Sequence, residues 1–191
     1  MSVRRDASSA AARESRNIRD SRCPPEPAVS RVIDAATPAD LPTLLTLIGE
    51  LAEFERLAHE LAVTPASLEE ALFGPRPVCE AVVARVAGEV AGFALFFRNF
   101  STFAGREGLF LEDLYVRPAF RGQGIGRSLL EHVAGVAAAR GCSRMEWSVL
   151  NWNRRAVGFY EALGARPVND WTIYRLDRTA LEAIRAQPDA G

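Results

Sequence analysis

Hydrophobic and polar positions follow two periods along this chain, and the switches between them mark its elements. RVIDAA (31–36) reads as a short strand. Thr37-Pro38 then supplies an N-cap and a first helical proline for a helix through LPTLLTLIGELAEFE, and Thr64-Pro65 repeats the device for a second helix ending near Gly74. CEAVVARV (79–86) and VAGFALFFR (90–98) flank a short Ala-Gly-Glu connection and read as an antiparallel hairpin. GLFLEDLYV follows as a third strand of that run. IGRSLLEHVAGVAAARG is then an amphipathic helix stopped by Gly141, SRMEWSVL a strand, NRRAVGFYEALG a helix, and WTIYRL a last strand before a short terminal helix. The expected order is β-α-α-β-β-β-α-β-α-β, an α/β fold with a mixed, mostly antiparallel sheet flanked by helices and no internal repeat.

Residues 1–30 lack this periodicity. They are rich in Arg, Ser and Ala and close on a proline cluster, so a disordered extension is expected ahead of a single domain over 31–185 and a tail over 186–191. Asp6, Glu14 and Asp20 interrupt any transit-peptide pattern, and no apolar signal core is present.

Composition narrows the chemistry. The chain has 191 residues, 48% of them hydrophobic and 25% charged, and a formal net charge of -1. That balance suits one domain with a substantial core and gives no electrostatic footprint for nucleic acid. No apolar run reaches membrane-spanning length. All 23 basic residues are arginine, which removes lysine Schiff bases and P-loop lysines from consideration. Cys23, Cys79 and Cys142 lack metal-ligand spacing, and only His59 and His132 could join them, so no metal is expected; the cysteines suit a reducing cytoplasm.

RGQGIG (121–126) lies between a strand ending at Val116 and a helix beginning near Gly124. A helix N-terminus carries unpaired N–H groups and the positive end of a dipole, and glycines let an anion approach the backbone. A phosphate or pyrophosphate cradle is one reading, and a tight turn with glycines for geometry is the other. Neither the Rossmann spacing nor the Walker Gly-Lys is satisfied. Downstream, Asn153 stands at an N-cap position and Tyr160 seven residues later, about two turns along the same face. On their own these could be an ordinary cap and a half-buried core tyrosine.

Arg121-Gly122-Gln123-Gly124-Ile125-Gly126 resembles the Arg/Gln-x-x-Gly-x-Gly/Ala motif of the Gcn5-related N-acetyltransferases (GNAT superfamily). The similarity extends over about residues 31–185, through LEDLYVRPAFRGQGIG and NWNRRAVGFYEALGA, toward the diamine (spermidine/spermine) and thialysine acetyltransferase branch. The resemblance implies the GNAT fold, acetyl-coenzyme A as cosubstrate and a homodimer. By the same token Arg121, Gly122, Gln123, Gly124, Ile125, Gly126 and Arg127 would hold the pyrophosphate, Leu114, Tyr115 and Val116 the pantetheine arm, and Asn153 the coenzyme. Tyr160 would protonate the leaving thiolate. A thiol of pKa about 8.5 leaving against a phenol of about 10 makes tyrosine a reasonable acid.

An alkylammonium of pKa about 10.4 is neutral in only about one molecule in 2,500 at pH 7, so the site must help remove its proton. Strict alternation along GLFLEDLYV puts Glu112, Leu114 and Val116 on one face and Asp113 and Tyr115 on the other. One carboxylate can then face the cleft while the other faces away; Glu112 is the candidate, an ordinary solvated strand carboxylate is the alternative, and the resemblance implies that the matching residue helps to bind and deprotonate the amine. Phe54, Glu55, Phe103 and Asp170 match substrate-facing positions of the diamine enzymes. The reading is therefore an acetyl-coenzyme A dependent N-acetyltransferase acting by direct attack on the primary amine of a small cationic molecule: a diamine, a polyamine or a lysine-like amino acid. The alternatives are a non-catalytic acyl-coenzyme A sensor and a protein or peptide N-acetyltransferase.

Overall fold

A computed structural model describes residues 30–186; the expected N-terminal extension lies outside them. Five strands form one sheet in sequence order: β1 (Arg31–Ala35), β2 (Glu80–Val86), β3 (Glu89–Ser101), β4 (Arg106–Val116) and β5 (Met145–Trp147). The first four pair antiparallel, and β5 runs parallel to β4. Helices α1 (Leu41–Glu55) and α2 (Pro65–Phe73) cover one face, and α3 (Ile125–Ala139) covers the other. The helices α4 (Arg154–Glu161) and α5 (Arg178–Ala186) complete the described residues. This is the mixed α/β architecture that the periodicity implies.

The Thr64-Pro65 device works as the sequence indicates, whereas Thr37-Pro38 opens a short 3-10 turn (Pro38–Asp40) and α1 starts at Leu41 with Asp40 as its N-cap. Thr64 caps α2, its hydroxyl accepting from the Ser67 N–H at 3.1 Å, with Pro65 in the first turn. The β2–β3 turn closes on Ala87 and Gly88, both at positive φ, as a two-residue hairpin turn requires. Ahead of α1, Asp40 accepts from the Thr37 N–H at 3.0 Å and the Thr37 hydroxyl at 2.9 Å, and the Arg85 guanidinium reaches it at 2.6 Å. This ties the start of α1 to β2.

Burial pushes the Asp40 carboxyl up, but the Arg85 and Thr37 hydrogen bonds outweigh it and hold the group below its ordinary 3.8. A carboxyl depressed in the folded state contributes stability above the unfolded value, and that contribution is lost as pH falls through the folded one. Arg85→Ala leaves Asp40 buried without its cation. We expect a loss of about 2 kcal/mol, read as a lower urea midpoint at pH 7, with the difference shrinking as pH falls below 3.8.

One correction concerns the last strand. Residues 171–176, expected as a strand, pair with nothing among the described residues; Ile173 is 80% and Tyr174 92% exposed. The observed order ends β-α-α. Alternation records that a segment suits an extended backbone, whereas a strand needs a ladder partner. The neighbouring edge offers little ladder, because SRMEWSVL contributes only the three residues of β5.

The second correction positions the site. Leu95 of β3 pairs with Asp113, and the next residue, Phe96, pairs with Leu111, so Glu112 is an extra, unpaired residue in β4. Such a bulge shifts the alternation by one. Leu109 and Leu111 point into the core under α3; beyond the bulge Leu114 and Val116 take that face, while Tyr115 is buried under α1 and α2. The strict alternation from Glu112 to Val116 is therefore broken at its first member.

Candidate active site

The parallel pairing of β4 with β5 covers only Leu109–Leu111 against Met145–Trp147. Beyond Leu111 the two strands have no ladder between them, and a cleft of about 770 Å³ opens. One wall is Leu111–Val116, and the other is Trp147–Leu150 continuing into α4. The Arg117 N–H donates to the Ala91 carbonyl of β3. Alternation then directs the backbone groups of Leu114 and Val116 away from β3, toward the gap. Parted strands, with the Leu114 backbone groups and the Val116 N–H directed into the gap, form a slot suited to an extended ligand.

The glycine turn closes one end. Gly122 and Gly124 stand at φ 79° and 82°, and a Cβ built on either would meet nothing within 4 Å. Backbone conformation, not crowding inside the protein, requires glycine there. Gly124 is the N-cap of α3, and the first intrahelical bond runs from the Ser128 N–H to its carbonyl at 3.0 Å. The N–H groups of Ile125, Gly126 and Arg127 thus precede the hydrogen-bonded helix, and all three residues line the cleft. This end is built for an anion.

Arginines fix the turn. The Arg121 Nε donates to the Val116 carbonyl at 2.8 Å, and its guanidinium lies 5.0 Å from the Phe54 ring centre and 5.5 Å from that of Tyr115. Arg31 of β1 donates to the Gln123 carbonyl at 2.7 Å, a support across 92 positions that no local pattern signals. Gln123 itself lies outside the cleft lining, and Arg127 pairs with Glu131 at 2.7 Å.

Asn153 caps α4, accepting from the Ala156 N–H at 3.2 Å, and lines the cleft together with Tyr160. The Tyr160 ring packs 5.0 Å from Trp147 and 5.2 Å from Phe159. Burial, then the Glu55 charge, pushes its phenol above the ordinary 10. It therefore holds its proton throughout the physiological range, as a donor should.

Acids gather at the remaining side. Glu55 at the end of α1, Glu112 and Asp113 all line the cleft, and among the described residues none has an ion-pair or hydrogen-bond partner. Burial pushes Glu55 up. Asp113 rises to about 7, from burial first and then the charges of Glu112 and Glu55. Glu112 is exposed. Phe54 belongs to the wall, its ring 5.8 Å from that of Trp152. Phe103, 93% exposed on the β3–β4 turn, and Asp170 stand outside the cleft lining. Asp113 was turned away from the site by strict alternation; the run of two adjacent acids within an otherwise apolar strand was its one signal. Among the described residues no group of three or more His, Cys, Asp or Glu side chains is arranged to hold a metal, and no helix is long and apolar enough to cross a membrane.

A split parallel edge, a glycine-capped helix N-terminus, a half-buried phenol and acids without arginine partners thus share one cleft. Residues 46–165 match the acetyltransferase (GNAT) family, and the chain belongs to it. It is an N-acetyltransferase. It is 37% identical over 164 residues to the thialysine N-epsilon-acetyltransferase of Bos taurus, covering 80% of this chain and 96% of that one. It is 32% identical over 197 residues to the L-ornithine N5-acetyltransferase of Arabidopsis thaliana, covering 80% and 86% respectively. Among solved structures, an integron cassette protein from the mobile metagenome of V. cholerae superimposes with a TM-score of 0.70 at 24% identity, covering 83% of this chain and 99% of the other. That likeness concerns the fold.

Proposed function

We propose that this enzyme takes an acetyl group from acetyl-coenzyme A and transfers it to the primary amine of a small cationic molecule, namely a diamine, a polyamine or a lysine-like amino acid. The observation that carries the reading is the polarity of the cleft. One end offers free helix N–H groups behind glycines of positive φ, and the other offers carboxylates without arginine partners. The relatives named for thialysine and L-ornithine act on amino acids of that chemistry.

The cradle suits a pyrophosphate: Gly122 and Gly124 have open space where a side chain would intrude, and the N–H groups of Ile125, Gly126 and Arg127 are free of intrahelical bonds. These residues, with Leu114, Val116 and Asn153, would hold the coenzyme. Acetyl-coenzyme A, when bound, supplies the acetyl group as an activated thioester. The Leu114 N–H, directed into the slot, is suited to polarise a carbonyl oxygen. Tyr160 keeps its proton until it donates it to a departing sulfur. Glu55 and Glu112 attract the ammonium group, Glu112 from the solvent side of the cleft. Assembly as a homodimer and a cytoplasmic setting belong to the same reading; the exposed apolar run from Trp171 to Leu176 supports the former.

The test is thiol release from acetyl-coenzyme A against thialysine, L-ornithine, a diamine series, spermidine and lysine-containing peptides. Turnover on the small amines and none on peptides is expected. Tight cofactor binding with no release on any acceptor would favour a sensor, and turnover on peptides alone would favour a protein acetyltransferase.

A further inference from the structure

The β4 bulge gives Asp113 surroundings that strict alternation would deny it. Its carboxyl is felt by Cys79, in the segment entering β2, as well as by the acids of the cleft. Asp113 lines the cleft with Glu55 of α1 and Glu112 of its own strand, both of which act on it through their charge, and apolar Leu95 pairs with it on β3. Across the cleft Tyr160 of α4 responds to the same Glu55. Each of these ionisable groups is an acid. Elsewhere this chain pairs its partly buried carboxylates with arginine: Asp40 with Arg85, Glu50 with Arg117, Glu80 with Arg140. A desolvated carboxyl among acids, with no cation, is a costly arrangement. Its compensation comes when a cation arrives from outside.

We propose that Asp113 is a catalytic residue of the acetyl transfer: its carboxylate receives the ammonium group of the acceptor amine and takes one proton from it. The proposal rests on the reading of the cleft as an amine site. An N–H bond of the ammonium breaks, its electron pair stays on nitrogen as the attacking lone pair, and an O–H bond forms on the Asp113 carboxyl. The proton then leaves to solvent past exposed Glu112, restoring the carboxylate before the next turnover. A base that titrates near the working pH combines a large ionised fraction with useful basicity, and Asp113 titrates at about 7. Glu112, open to water, is placed for the exit of the proton.

The experiment compares the wild-type chain with Asp113→Asn, Asp113→Glu and Glu112→Gln, using L-ornithine as acceptor. For the wild type, kcat/KM for ornithine should rise with pH along a limb centred near 7. Asp113→Asn should remove that limb and lower kcat/KM at pH 7 about 10²-fold, with KM for acetyl-coenzyme A unchanged; Asp113→Glu should keep a displaced limb. Independently of turnover, ornithine binding to the enzyme with coenzyme A should release part of a proton at pH 7, read by calorimetry in two buffers of different ionisation heat. Asp113→Asn should abolish that release.

The folded carboxyl holds its proton more tightly than the unfolded one, so its ionisation costs stability as pH rises from 3.8 to about 7. The asparagine variant is therefore expected to fold and to melt higher than wild type at pH 8. An Asp113→Asn enzyme that keeps both limb and proton release overturns the proposal, and their loss in Glu112→Gln alone would transfer the role to Glu112. A wild type that acetylates ornithine, thialysine and diamines not at all would instead overturn the amine reading on which the proposal stands.

Discussion

Tyr160→Phe is expected to lower kcat by about 10²–10⁴-fold, the range for removing a positioned general acid. The substitution deletes one hydroxyl and keeps the ring, so the packing against Trp147 and Phe159 survives. KM for acetyl-coenzyme A should stay within about twofold and the melting temperature should not move, because neither depends on the O–H. The pH profile carries a second expectation. Burial and the Glu55 charge hold the phenol above 10, so the wild type should show no falling limb due to Tyr160 below about pH 10. A phenylalanine variant that turns over at the wild-type rate would remove Tyr160 as the acid and leave it a wall of the cleft.

Gly124→Val should act at the opposite end and on a different constant. Gly124 caps α3 at φ 82°, ψ 0°, a conformation that costs an L-residue about 1–2 kcal/mol and a β-branched one more. The added side chain would also stand in the open space before the Ile125, Gly126 and Arg127 N–H groups. We expect KM for acetyl-coenzyme A to rise about 10²-fold, with coenzyme A binding by calorimetry weakened in parallel. The amine-side pH limb should be unaltered. Gly135→Ala is the control: it lies within α3 with nothing within 4 Å of its Cβ position, and alanine there should be neutral or slightly stabilising. Equal effects at the two positions would mean that the turn has no ligand to hold.

These two substitutions test a proposed cosubstrate end and a proposed chemical centre of the cleft, and the local elements that build both were legible in the chain. Thr64-Pro65, Asn153 and Gly124 are recognisable because capping is local chemistry: an oxygen or a bare α-carbon meets N–H groups two or three residues away. The glycine turn at 121–126 is likewise legible from glycine spacing, as an anion cradle or a tight turn. Segment 171–176 reads as a strand for the same local reason, and the expectation fails because pairing is not local.

The sequence by itself determined the element order up to α4, the two core faces, the glycine turn and the spacing of Asn153 and Tyr160, since each follows from the period of apolar positions or from contacts within one turn. Tertiary structure decided how the two adjacent acids of β4 are placed. A single extra residue at Glu112 shifts the alternation by one, sets Leu114 and Val116 over α3 and leaves Asp113 in the cleft lining with Glu55. It also decided that β4 and β5 part after Leu111, and that Arg31 braces Gln123 from the far end of the domain. Register, strand separation and long-range support arise from how strands compete for partners, and that competition is settled only when the whole sheet has formed.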